Sequence, residues 1–194
     1  MKLKRLFSTA TVKGTKEYII SQRKYELIRT ILYFGLSFAL FIAGYITTGT
    51  RNNLLTIVAV LGCLPASKSL VGTIMYFKYK SLKNEHADLI EQHSEGLFCL
   101  YDLVFTTRDK TYPVLHMTIR NQNVIGYTES VKISEKDCEA HLKTILQIDH
   151  HTDISIKIFT NINQYTDRME QLKSLADDNI RDMSISNTLK SIAL

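Results

Sequence analysis

TILYFGLSFALFIAGYITTGT, residues 30–50, and LLTIVAVLGCLPASKSLVGTIMYF, residues 54–77, decide the fold of this 194-residue chain. The first run holds no formal charge over 21 residues, and the second holds only Lys68 over 24. At about 1.5 Å per residue, either run reaches across a hydrocarbon core about 30 Å thick. Only a short polar connection around Thr50 to Asn53 separates them. The reading is a two-helix transmembrane hairpin over residues 30–78, its helices antiparallel and in contact.

Orientation follows from the basic residues, which collect on cytoplasmic flanks. Lys2, Lys4, Arg5, Lys13, Lys16, Arg23, Lys24 and Arg29 precede the first run, the connection carries only Arg51, and Lys78, Lys80 and Lys83 follow the second. Both termini are therefore expected in the cytoplasm. The expected location is multi-pass in a plasma membrane, of a bacterial kind, with the mitochondrial inner membrane as the alternative. No cleavable signal is expected, because the apolar run starts late and lacks a small-residue cleavage site.

Small residues suggest the packing faces, as they do where helices meet in lipid. Gly35, Ala39 and Ala43 recur at spacing four on the first helix, and Ala59, Gly62, Ala66 and Ser69 line the second. Lys68 then projects away from the first helix. It either snorkels to the headgroups or, beside Pro65, which frees the Leu61 carbonyl, marks a polar pocket or oligomer contact. No acid occurs between Glu26 and Glu85, so a carboxylate for Lys68 is not expected from within the spans.

The charge is unevenly shared. Residues 1–78 carry 11 Lys or Arg against 2 Glu, whereas residues 79–194 carry 13 against 17 acids. The basicity thus belongs to the membrane flank, which points to anionic lipid headgroups and away from nucleic acid. Residues 1–29 are a basic juxtamembrane segment, read either as an interfacial helix on Tyr18, Ile19, Tyr25 and Ile28 or as a flexible tail. Cys63, Cys99 and Cys138 are odd in number and lack CxxC spacing, as in a reducing compartment.

Residues 79–95 form a connecting helix, with Gly96 at its end. A cytosolic α/β domain over 96–179 follows. Leu97 to Thr106 and Tyr112 to Arg120 read as strands, the second with Leu115, Met117 and Ile119 on one face, and Val124 to Thr128 completes a meander. Ser134 caps an amphipathic helix bearing Cys138, Leu142, Ile145 and Leu146. Ile154, Ile156 and Ile158 mark a fourth strand. Asn161 or Asn163 caps a helix with Tyr165, Met169, Leu172 and Leu175 inward, ending near Asp177 to Asn179. The class is α+β, a small two-layer domain in the order α-β-β-β-α-β-α, with a weakly patterned tail at 180–194.

That order resembles the restriction-endonuclease-like core. Its chemistry needs an acid on the second strand and an E/D-x-K on the third, where carboxylates hold Mg²⁺ and the lysine assists water. Tyr112 to Arg120 contains no acid, and Glu129 and Lys132 are one residue too far apart. The alternative fold is therefore a degenerate form of this core.

Other chemistry is sparse. His86 and His93 share a helical face without a completing ligand. Asp102, His116, His141, Asp149, His150 and His151 are the candidate polar cluster, dense at the loop after the first domain helix but matching no established zinc spacing. There is no GxSxG, Walker A or GxGxxG motif. No catalytic residue, cofactor or metal is assigned. The expected function is a membrane-anchored protein-interaction module, with a homo-oligomer or protein partner, and the alternative is a membrane-bound hydrolytic or metal-dependent enzyme.

Overall fold

The computed structural model describes residues 13–130, 134–176 and 178–194. Lys2, Lys4 and Arg5 of the basic segment, Lys132 of the Glu129 pair, and Asp177 lie outside them. The described residues are mixed α and β, with six helices and a four-stranded mixed sheet. They divide into two compact units, one of residues 19–80 and one of residues 13–18 with 81–194.

In the first unit, helix α1 runs Tyr18–Thr48 and helix α2 runs Leu54–Lys78. Both are long and apolar enough to cross a membrane. The expected interfacial helix is not a separate element, because α1 is unbroken for 31 residues. Nothing between Tyr18 and Arg29 stops it, since no Gly or Pro occurs there. Asn53 starts α2, its side-chain oxygen accepting from the Thr56 amide at 2.8 Å.

The second unit contains helix α3 (Asn84–His93), strands β1 (Phe98–Thr106), β2 (Thr111–Arg120) and β3 (Asn123–Tyr127), helix α4 (Glu135–Ile148), strand β4 (Ser155–Phe159), and helices α5 (Ile162–Lys173) and α6 (Asn179–Ile192). The sheet order is β1-β2-β3-β4, antiparallel except for the β3–β4 pair. Two reverse turns make the first three strands. A parallel fourth needs a crossover, which α4 supplies.

Both faces of this sheet are covered, so the unit has three layers where two were expected. Leu142 and Leu146 of α4 and Ile185 and Leu189 of α6 join Met117, Ile119 and Val124 in one core. Ile90 of α3 and Tyr165, Met169 and Leu172 of α5 join Leu115, Ile125 and Tyr127 in the other. The second cover follows from β3, whose Val124 and Ile125 are both apolar and point to opposite faces. The third layer also corrects the reading of 180–194 as a loose tail. That segment is α6, capped by the Asp178 side chain, with Ile185 and Leu189 fully buried.

One kink alters the strand reading. Asp102 takes a φ of 54°, and the β1–β2 register continues on both sides of it. The step of two is lost there. Leu100 and Leu103 enter the same core, as do Val114 and Met117, while Leu115 turns to the opposite one. Leu115 therefore does not share a face with Met117 and Ile119.

The outer edge of β1 is held by both ends of the described chain. The Tyr101 amide donates to the Gly14 carbonyl at 2.9 Å, and the Leu194 amide donates to the Val104 carbonyl at 2.9 Å. Gly14 has a φ of 80°, and a Cβ there would lie 3.0 Å from Leu100. These contacts cover backbone groups that an edge strand otherwise leaves open.

Candidate functional site

The buried polar side chains of residues 19–80 gather where α1 meets α2. Along α1 the buried Thr30, Ser37 and Gly44 recur every seven residues, and along α2 Ala59, Ala66, Ser69, Thr73 and Tyr76 are buried at steps of three, four and seven. These spacings keep one stripe of each helix facing its neighbour. Ser37 lies opposite Gly62, and Thr30 lies 3.0 Å from both Ser69 and Thr73. Gly35, Ala39 and Ala43, expected on this face, are exposed instead. Small side chains gain little from either location, whereas polar ones are costly against hydrocarbon.

Glu26 is the charged centre of the stripe. Its Oε1 accepts from Arg29 Nη1 at 2.7 Å and from Gln22 Nε2 at 3.2 Å, and its Oε2 accepts from Ser69 Oγ at 3.2 Å. Gln22 is fully buried and Glu26 nearly so. A little further along, Arg23 donates to the Tyr76 and Tyr79 carbonyls and stacks 4.8 Å over the Phe77 ring. It thereby satisfies acceptors that the end of α2 leaves open. Because α1 begins at Tyr18, a carboxylate does enter the helix pair, and Arg29 takes it.

Lys68 is exposed and makes no hydrogen bond or ion pair among the described residues. Pro65 is exposed as well, and α2 is helical through it. The basic residues before α1 are engaged in part. Lys13 Nζ donates to the Ala193 carbonyl at 2.7 Å, with burial lowering its pKa, and Lys16 pairs with Glu91 at 2.6 Å, which raises its own.

The six residues of the candidate polar cluster occupy five separate places. Asp102 is buried and accepts from Ser81 Oγ. His141 lies beside the Tyr112 ring, with centroids 6.0 Å apart. His150 is exposed at a φ of 63°, in the turn after α4.

His116 is wholly buried on β2. Its Nδ1 lies 2.7 Å from the Tyr165 hydroxyl, which also lies 2.9 Å from Thr118 Oγ1. Burial pushes the ring down to about 3, so it is neutral at any physiological pH. The same burial raises Cys99 to about 11 and holds the Tyr165 phenol well above its usual range. These groups are locked as neutral hydrogen-bond partners, and the thiol is no nucleophile.

Asp149 and His151 do meet, with help from α6 that the sequence did not signal. Asp149 Oδ2 lies 3.6 Å from His151 Nε2 and accepts from Thr188 Oγ1, while Thr188 and Ser184 hydroxyls lie 3.4 and 3.5 Å from the same ring nitrogen. A hydroxyl–imidazole–carboxylate relay needs the acid on one ring nitrogen and the hydroxyl on the other. Here all three groups face Nε2, so this geometry is not that relay. Glu129 binds His86 at 2.8 Å and Lys83 at 3.3 Å. Among the described residues no group of three or more His, Cys, Asp or Glu is placed to hold a metal ion.

The residues missed from sequence are Gln22, Glu26, Arg29, Thr30 and Thr73. The seven-residue recurrence through Arg23, Thr30, Ser37 and Gly44 was the available signal. Compared with protein families, with curated proteins and with solved structures, the chain matches none of them.

Proposed function

We propose that the chain is an integral membrane protein in which α1 and α2 insert as a hairpin and the α/β unit is a cytosolic interaction module. One observation carries this reading: the polarity of residues 19–80 is inverted relative to a protein in water. Phe38, Ile46, Leu54 and Leu64 are about two-thirds or more exposed, while Gln22, Glu26, Thr30, Ser69 and Thr73 are buried. Exposed apolar area costs roughly 25 cal/mol per Å² in water and nothing comparable in lipid. The bare faces of both helices are then matched to their solvent.

The basic flanks support cytoplasmic termini. The sheet order, with its parallel closing strand, supports the resemblance to a restriction-endonuclease-like core. Neither β2 nor β3 carries an acid, which favours a binding scaffold over that family's catalysis. Ile180 and Met183 on α6 stay exposed and offer apolar surface to a partner protein.

The test is expression of the full chain in bacterial cells, followed by alkaline carbonate washing and by cytosol-dependent reporters fused to each end. Retention in the membrane with both reporters active is expected. A chain that stays monodisperse in detergent-free buffer overturns the reading.

A further inference from the structure

Thr30 and Ser69 face each other across the helix pair, 3.0 Å apart. Arg29 and Lys68 each precede one of these residues by a single position. On a right-handed helix that step turns the side chain by about 100°, and because the two helices run in opposite directions both turns go to the same side. Arg29 and Lys68 thus flank one side of the pair at nearly the same level. On that side α2 is thin: Gly72 has no side chain, and a Cβ built there would still be 3.7 Å from Glu26 Oε2.

The charges on this flank do not balance. Glu26 is already shared by Arg29, Gln22 and Ser69, which leaves Lys68 without a counter-charge among the described residues. Counted from Leu54, Lys68 lies about 21 Å along α2, within the inner third of a hydrocarbon core about 30 Å thick. A lysine stem reaches the inner headgroups from there. Arg29 Nε is also without an acceptor.

From this we infer that the Arg29–Lys68 flank is a docking site for an anionic phospholipid of the inner leaflet, its phosphate placed against the Lys68 ammonium and the Arg29 guanidinium. The inference rests on the membrane reading above and adds a specific lipid class to it. A phosphate supplies the missing negative charge, and its acyl chains lie along the exposed Leu61, Leu64 and Val71 of α2. A neutral zwitterionic lipid brings its own cation and leaves Lys68 uncompensated.

The experiment uses the full chain in nanodiscs of phosphatidylcholine alone, and of phosphatidylcholine mixed with phosphatidylglycerol, with retained lipids counted by native mass spectrometry. Insertion into phosphatidylcholine alone tests the membrane reading by itself, and failure there overturns both. In the mixture, phosphatidylglycerol is expected to be retained in preference. Lys68→Gln should lower that preference roughly five- to tenfold, Lys68→Arg should restore it, and Lys143→Gln, at an exposed site on α4, should leave it unchanged. Equal retention by the wild type and Lys68→Gln overturns the inference. So does displacement of the lipid by free glycerol phosphate, which would make the ligand a soluble anion, or a lipid-independent dimer lost in Lys68→Gln, which would make the partner a second copy.

Discussion

His116 on β2 and Tyr165 on α5 meet at 2.7 Å, ring nitrogen to phenol oxygen, with neither side chain exposed to solvent. The phenol also faces Thr118, so one hydroxyl ties the sheet to the helix at two points. Tyr165→Phe keeps the ring and its packing but leaves His116 Nδ1 and the Thr118 hydroxyl without that partner. A loss of about 1–3 kcal/mol is expected in denaturant titration of the detergent-solubilised protein. A change below a few tenths would mean that the pair does not hold the layers together.

The same ring sets an acid response. In the folded chain His116 titrates at about 3, against 6.5 for the ordinary group, so between these pH values the unfolded chain takes a proton that the folded one refuses. The stability linked to the neutral ring is whole above about pH 6.5 and is lost progressively as pH falls toward 3. Between pH 7 and pH 4.5 the loss is on the order of 2 kcal/mol. Near-UV circular dichroism melts at the two pH values measure it. His116→Gln should flatten the difference.

Glu26 and Arg29 form a partly buried ion pair inside an apolar helix pair, with side chains only 10% and 20% exposed. Removing one charge leaves the other uncompensated, which is the costly case. Glu26→Ala should destabilise the helix pair by roughly 3 kcal/mol, and adding Arg29→Ala should recover part of that loss. Titration into SDS, followed by loss of helix contact in a two-site fluorescence pair, gives the comparison. Additive losses would show the two charges to be independent.

Close approach at the far end of the pair is testable by one methyl group. A Cβ at Gly44 would fall 2.8 Å from Leu55 Cβ, a rigid atom, and 2.7 Å from Asn53 Oδ1, the oxygen that caps α2. Gly44→Ala must push the start of α2 away or break its cap, at about 1–3 kcal/mol. Gly35→Ala has open space around its Cβ and should be neutral in the same SDS titration.

What could be read from sequence divides along physical lines. Tyr165, Met169 and Leu172 repeat at helical spacing on a polar background, and α5 buries all three. On α2 the stripe through Ala59, Ala66 and Ser69 was legible because small residues there alternate with large ones. On α1 the same logic chose Gly35, Ala39 and Ala43, and failed. On α1 small side chains alone do not mark the contact; Thr30 and Ser37, followed by Gly44, at intervals of seven do. The kink at Asp102 could not have been read, because a left-handed backbone at a single strand residue leaves no period in the sequence. The candidate polar residues were scattered for a similar reason. Chain proximity linked His141 to Asp149, but about two turns of α4 lie between them and their side chains meet different neighbours, Tyr112 and Thr188.

Helix α6 escaped the sequence reading because its buried stripe is half polar: Ile185 and Leu189 alternate with Asp182 and Ser186, all four at or below 1% exposure. A short apolar stripe of that kind is indistinguishable from a frayed end until the open face of the sheet is known. Once it is, the helix becomes necessary, because it covers Phe105, Val114 and Met117 in the α4-side core. Leu189→Ala should cost about 2–5 kcal/mol, as for other fully buried leucines, while Ile180→Ala at an 87% exposed site should cost almost nothing. Truncation after Asp178 should go further and expose that core. Limited proteolysis of the truncated protein in detergent would then cut between residues 98 and 175 while sparing α1 and α2, and a protease-resistant α/β unit in the truncated chain would return residues 180–194 to the role of a tail.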